Sequence, residues 1–170
     1  MQAAGVAVAM GLDGCALDED DDGLRELRLF HLLGRRPGYS ADEGVTHAAA
    51  LRAACRTGRA ALGLPDGGVL EVGMPADLLI LNLDRLDRDA LMPVSAKDLL
   101  FTRATAAHVV EVWASGRQVV REGQVLGSDL DAAETALRAA YRAGLPATEP
   151  LRAVWQQIET AIGTHYRGCC

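Results

Sequence analysis

The stretch Gly5-Val-Ala-Val-Ala-Met-Gly-Leu-Asp13-Gly14 leads an apolar run into a single carboxylate. A short apolar run without polar alternation predicts a strand buried on both faces, as in parallel α/β sheets. Ligands of such folds gather at the carboxyl ends of the strands, which is where Asp13 stands. Asp and Gly are also ordinary turn residues. These ten residues alone therefore favour a turn, and the motifs that follow in the chain shift the interpretation towards a functional site.

The composition is that of an ordinary folded domain with one modest core: 49% of the 170 residues are hydrophobic and 24% are charged. The net charge of -6 disfavours nucleic acid and membrane surfaces as partners. The longest apolar stretches are much shorter than the roughly 20 residues of a membrane helix, and residues 1–10 lack the basic flank of a signal peptide. We therefore expect a cytoplasmic protein.

Cysteines stand at positions 15, 55, 169 and 170, without CxxC spacing or a nearby histidine pattern. This spacing indicates neither a zinc ribbon nor a disulfide framework. We expect Cys169 and Cys170 to belong to a loose chain end.

Two helices are predicted in the first third of the chain. Asp22 is placed to cap a helix whose apolar residues recur at helical spacing over 24–33. Ser40-Ala-Asp-Glu43 resembles a capping box and predicts a second helix to about Cys55, followed by a helical turn over 59–62.

From Gly68 onwards the pattern changes to that of strands and turns. A connecting loop is predicted over 84–93, and Gly-containing turns join the later strands into a β-meander. The tail predicts two helices, over 129–143 and 151–162, separated by Gly144-Leu-Pro146. The predicted strands are 69–72, 78–81, 109–114, 117–120 and 124–126.

The order of five motifs resembles the carboxyl-terminal third of a metal-dependent amidohydrolase, in the cytosine deaminase and chlorohydrolase-like branch. The most specific motif is Leu-Glu-Val-Gly-Met-Pro-Ala-Asp-Leu at 70–78, followed by an apolar strand. The other four lie at 5–14, 24–29, 51–64 and 110–123.

The resemblance implies an α/β fold that contains the last strand and helices of a (β/α)8 barrel. It assigns residues 1–64 to the terminal part of that barrel, 65–127 to a portion of a small β-sandwich and 128–170 to a helical tail. Asp13 would lie on the eighth strand, where the family's aspartate ligates a divalent zinc or iron ion and shuttles a proton. The implied reaction is hydrolysis of a carbon–nitrogen bond in a small-molecule substrate, such as deamination of a ring or amidine.

The chemistry of such a site is coherent, because a bound zinc or iron ion lowers the pKa of its water and a nearby carboxylate can carry the proton to a leaving amine. Cys15, Leu17 and Asp18 follow Asp13 and are candidates for substrate contact, with helix capping as the alternative. Asp18, Asp20 and Asp22 also match half of an EF-hand loop, but its twelfth position is Leu29 rather than Glu. An acidic helix start is the better interpretation.

The histidines depart from the family pattern. The family pairs its aspartate with a His-x-His motif and further histidines, whereas His31, His47, His108 and His165 occur singly. We interpret them as surface or helix-end residues, because ligation requires several converging donors. A complete barrel also needs about 250 residues. We therefore expect a truncated piece of the fold that binds no metal and turns over no substrate alone.

A competing hypothesis is a non-catalytic structural or interaction domain that has kept the family's sandwich strands and tail. The truncation hypothesis further predicts exposed apolar surface on the lone barrel strand and its helices, which favours either aggregation or association between copies into a homo-oligomer.

Overall fold

The structure is a computed structural model that describes residues 4–12, 20–34, 44–64 and 66–167. The chain divides into two compact units, Met1–Gly127 and Ser128–Cys170. The first unit contains both helices and strands, and the second contains one long helix. The helices are α1 Gly23–Leu33, α2 His47–Arg52, α3 Gly58–Ala61, α4 Leu83–Leu86, α5 Ala96–Arg103 and α6 Leu130–Tyr166. The strands are β1 Leu78–Leu81, β2 Val109–Ala114, β3 Arg117–Arg121 and β4 Gln124–Val125.

Helix α1 confirms the predicted first helix and its cap. The side chain of Asp22 accepts hydrogen bonds from the backbone N–H groups of Leu24 and Arg25, at 3.0 and 3.4 Å. The helix ends at Leu33, before Gly34. An N-cap carboxylate satisfies backbone donors that have no partner inside the helix.

The second helix begins later than predicted, at His47 rather than at Ser40. Thr46 is its N-cap, with its hydroxyl oxygen accepting from the N–H of Ala49 at 3.1 Å. The predicted capping box at 40–43 lies outside the described residues. The helix continues through a π-helical segment, Ala53–Thr57, into α3. A hydroxyl nearer the apolar residues therefore starts the helix.

The strands form one antiparallel sheet in the order β1-β2-β3-β4, so the predicted meander is confirmed. Both hairpin turns have two residues at positive φ, Ser115-Gly116 at 49° and 79° and Glu122-Gly123 at 52° and 77°. Turns of this hand match the right-handed twist of the paired strands, and glycine adopts them without strain.

Two predicted strands do not form. Residues 69–72 have no strand pairing, and Leu70 and Val72 are 84% and 106% exposed. Residues 6–12, the opening run, form no strand, and Val6 is 52% exposed, so the predicted buried strand is not formed in this structure. An apolar run becomes a buried strand only when neighbouring strands accept its hydrogen bonds. Within the described residues the opening run has no such neighbour.

Helix α5 was not predicted, and it occupies the centre of the first unit's core. Its Phe101 packs with Leu27 and Ala50 in one buried cluster. Its Leu99 packs with Leu86 and Ala104 in a second cluster. The predicted loop at 84–93 also begins inside a short helix, α4. Side-chain caps from Ser95 and Asn82 start these two helices, although their apolar residues follow no clear helical period.

The tail is one helix rather than two. Helix α6 runs through the predicted break at 144–146 and contains both Pro146 and Pro150. Its N-cap is Asp129, which accepts from the N–H of Ala132 at 2.9 Å. Among the described residues, no helix combines the length and the apolar composition that crossing a membrane requires.

Asp22 holds the helical part of the first unit to the sheet. Its Oδ1 caps α1, and its Oδ2 accepts from the N–H of Ala106 at 2.7 Å, where a short 3-10 helix leads into β2. The residue is only 8% exposed. One buried carboxylate therefore caps two helical segments that are 84 residues apart.

Replacing Asp22 with alanine should destabilise the first unit strongly. We expect D22A to lower the free energy of unfolding by about 2–3 kcal/mol, because a lost cap costs about 1 kcal/mol and a buried donor left unpaired costs about as much again. The matched control is S95A, which removes one exposed cap and should cost about 1 kcal/mol. Urea unfolding followed by circular dichroism measures both, and equal losses would contradict the two-segment role.

Candidate active site

The predicted site residues Asp13, Cys15, Leu17 and Asp18 lie outside the described residues. The structure describes the chain on both sides of them, at 4–12 and 20–34. The residues that can be placed around the candidate site are therefore those just before and just after 13–19.

The flank that leads to Asp13 is held against the second helix. The backbone N–H of Met10 donates to the carbonyl of Ala53 at 3.3 Å. Beside it, a cleft of about 430 Å³ is lined on one side by Ala9, Met10 and Gly11, and on the other by residues of α1. Residues 9–11, just before the predicted catalytic segment in the sequence, thus line an open cleft.

Glu26 is a carboxylate of this cleft that the sequence analysis did not single out. It is 8% exposed and lines the cleft together with Leu29 and Leu33 on the same face of α1. Acidic residues are common at helix starts, so a glutamate at this position did not by itself indicate a functional residue. Its helical spacing to Leu29 and Leu33 was the available signal.

A second cleft, of about 300 Å³, lies between the opening run and the helical residues of α2 and the π-helical segment. Gly5, Val6, Ala7 and Val8 line one side, and Ala49, Arg52, Ala53 and Thr57 line the other. The apolar run is therefore bordered by two open clefts.

On the other flank, the acidic residues serve the start of α1. Asp20 accepts from the backbone N–H of Asp22 at 2.9 Å and forms an ion pair with Arg25 at 2.7 Å. Both carboxylate oxygens of Asp22 accept hydrogen bonds from backbone N–H groups, one at the start of α1 and one at Ala106. These engagements support the acidic helix start over a calcium loop, since the carboxylates that calcium needs are already bonded to the protein.

His31, His47 and His108 make contacts within the first unit. The rings of His31 and His47 lie 4.5 Å apart, and His47 stacks on Phe101 at 4.1 Å. Nδ1 of His31 is 2.6 Å from the carbonyl oxygen of Val45, and Nδ1 of His108 accepts from the N–H of Thr105 at 3.2 Å. His31 lies in the last turn of α1 and His47 is the first residue of α2, so both are helix-end residues as predicted, and their rings form a half-buried cluster with Phe101.

The described residues contain no group of three His, Cys, Asp or Glu side chains that could hold a metal ion. Desolvation raises the pKa of the Cys55 thiol, which disfavours the reactive thiolate.

Asp77, in the motif at 70–78, joins the helices to the sheet. Its carboxylate accepts from the backbone N–H of Ser115 at 2.6 Å and binds the guanidinium of Arg59. Arg59 also donates through Nε to the carbonyl of Asp66 at 3.0 Å. The most specific motif of the sequence therefore has an architectural role in this chain, fixing the β2–β3 turn to α3.

The glycine-rich loop before β1 packs against the backbone of the π-helical segment. Gly68 has a φ of +70°, and a Cβ on it would lie 2.8 Å from the carbonyl oxygen of Cys55. This close approach explains the glycine without any phosphate ligand.

Comparisons with known proteins cover most of the chain. The model of the amidohydrolase family matches residues 1–120. A 5-methylthioadenosine/S-adenosylhomocysteine deaminase of Halobacterium salinarum is 37% identical over 150 residues, which cover 85% of this chain and 34% of that protein. The deaminase of the same name from Pelotomaculum thermopropionicum is 35% identical over 126 residues, covering 74% of this chain and 28% of that protein.

Solved structures agree with these relatives. An adenosine deaminase from Xanthomonas campestris with bound zinc has a TM-score of 0.73 at 32% identity, covering 86% of this chain and 33% of that structure. An atrazine chlorohydrolase from Arthrobacter aurescens complexed with zinc has a TM-score of 0.71 at 27% identity, covering 81% of this chain and 30% of that structure. The chain thus spans about a third of the length of the proteins it matches.

Replacing Asp77 with alanine should loosen the junction between α3 and the sheet. We expect D77A to lower the free energy of unfolding by about 1–2 kcal/mol, because two partly exposed partners lose their acceptor. The control is D66A, which keeps the backbone carbonyl that Arg59 uses and should change stability by less than about 0.5 kcal/mol. Urea titrations of both variants test this, and a D77A curve that overlays the D66A curve would contradict it.

Proposed function

We propose, from the premise that the chain belongs to the amidohydrolase family, that it is the carboxyl-terminal part of a metal-dependent enzyme that hydrolyses a carbon–nitrogen bond. The match of the family model over residues 1–120 carries this proposal. The zinc named with two of the similar structures supports a divalent metal in the family. The relatives act on small molecules, so the substrate is a small molecule.

Within that fold, residues 1–64 are the end of the (β/α)8 barrel, 65–127 a portion of the β-sandwich and 128–170 a helical tail. The apolar run at 6–12, which leads to Asp13, supports the first assignment, because the residues that bind ligands in a barrel stand at the carboxyl ends of apolar strands. The four-stranded antiparallel sheet supports the second assignment, because such a sheet can form one face of a sandwich.

A single aspartate cannot hold a catalytic metal, since such sites use three protein ligands and keep a fourth position open. The described residues supply no cluster of three. We infer that the other ligands come from the two thirds of the fold that the relatives have and this chain does not span. In the complete site, zinc or iron would supply Lewis acidity.

Asp13 is the residue of this chain that carries the chemistry. Its carboxylate would ligate the metal, accept the proton of the attacking water and deliver it to the leaving amine. Cys15, Leu17 and Asp18 follow it and would contact the substrate. Because several relatives are named as deaminases of adenosine-type compounds, the substrate class that we propose is a purine nucleoside with an exocyclic amine.

A chimera tests the role of Asp13. In it, this chain replaces the matching carboxyl-terminal segment of the Pelotomaculum thermopropionicum deaminase. We expect the chimera to bind one zinc ion per chain and to deaminate 5′-methylthioadenosine. D13N should remove the zinc and lower kcat by roughly 10²- to 10⁴-fold, the usual contribution of a positioned acid–base group.

D21N is the matched control, because Asp21 is an exposed acid eight residues after Asp13 in the sequence, and its φ of 55° suits asparagine. It should leave zinc content and kcat unchanged. An active chimera whose D13N variant keeps full activity would refute the role of Asp13. The isolated 170-residue chain should show neither zinc nor turnover.

The second candidate is a non-catalytic structural or interaction domain, and the lack of a metal-binding cluster among the described residues favours it. The same chimera separates the two. A folded chimera without zinc and without turnover supports the non-catalytic domain, whereas an active one excludes it.

A further inference from the structure

Helix α6 carries a long apolar stripe that is exposed to solvent. Its large apolar residues are separated by intervals of three, four and, once, ten residues, which places them on one face of a helix with 3.6 residues per turn. The stripe is 38% to 70% exposed. Its members are Leu137, Tyr141, Leu151, Trp155, Ile158 and Ile162.

We propose that this stripe packs antiparallel against the same stripe of a second copy of the chain. The spacing fits the seven-residue repeat with which two helices pack side by side. The helix has 37 residues and is about 55 Å long, so the contact extends over many turns.

Matching side-chain sizes favour a second copy in antiparallel orientation. If the midpoint of the pair falls between residues 149 and 150, Leu137 faces Ile162 and Tyr141 faces Ile158 of the other copy. The same alignment places Trp155 opposite Gly144, so the largest side chain of the stripe meets a residue without one. Among the described residues of one chain, no atom outside the helix's own neighbouring backbone lies within 4 Å of the position that a Cβ on Gly144 would take. Such alternation of large and small residues lets two helices interlock.

Charge matching supports the same alignment. Arg138 lies beside Leu137, and Glu159 lies beside Ile158, so each arginine meets the glutamate of the other copy, twice per dimer. In a parallel pair, by contrast, each charge would stand level with its own counterpart. Within one chain Arg138 pairs with Glu134 at 2.7 Å, but both side chains are at least 60% exposed. Exposed pairs contribute little, so this one can be exchanged.

The rest of the helix is consistent with a protein partner. Pro146 and Pro150 lie on the face opposite the stripe, so the positions that lack a backbone donor are away from the contact. Four acidic residues and three arginines lie along the helix. A helix that binds a membrane surface is usually rich in basic residues, so the mixed charge disfavours a lipid surface.

The test is the mass of the full 170-residue chain in solution, by sedimentation equilibrium. We expect a dimer. R138E and E159R should each weaken dimerisation roughly tenfold or more, because two attractive pairs become repulsive. An equimolar mixture of the two variants should form a heterodimer, since every facing pair is then opposite in charge. I158D should give a monomer that keeps its helical circular dichroism.

The matched controls are R142E and E149R, which reverse charges on the outward side of the same helix and should dimerise like the unaltered chain. A chain that stays monomeric at all concentrations would overturn the proposal, because the stripe would then have no second copy. A dimer that survives I158D, or single variants whose mixture gains no affinity, would also overturn it.

Discussion

The first unit depends on the double cap made by Asp22. A helix start leaves backbone donors unpaired, and burying them costs free energy unless an acceptor is present. Asp22 supplies an acceptor to two such starts, at Leu24 and at Ala106. Arg28 reinforces the junction by donating to the carbonyl of Ala104 at 2.8 Å. Helix α1 is therefore fixed to the chain that enters β2.

A second carboxylate, Asp77, fixes the other end of β2, at the β2–β3 turn, through Ser115 and Arg59. The two carboxylates have a common logic: each satisfies partners that are far away in the chain, so each acts as a joint between helices and strands. The chemistry proposed for this family is assigned to a different carboxylate, Asp13. Asp22 and Asp77 thus stabilise the fold of this chain. The proposed catalytic role belongs to a third acidic residue, Asp13.

The sequence predicted those elements that depend on residues close together in the chain. The first helix and its cap at Asp22 followed from helical spacing, and the meander followed from its turn glycines. Predictions that depended on distant partners failed. Residues 69–72 are apolar but unpaired, and helix α5 lacks a clear helical period although it lies at the centre of the core. The tail stays helical across 144–146 despite its prolines.

The sequence by itself determined the family and the residue types of the proposed chemistry, because motif order survives without coordinates. It also determined the start of α1 at Asp22 and the turns of the meander, which depend on a capping side chain and on glycines. Only the tertiary structure decided what the motifs do here: that Asp77 is a joint, that His31 and His47 pack on Phe101, and that the apolar opening run has open clefts beside it. The physical reason is that pairing and burial depend on groups distant in the chain, which local spacing does not encode.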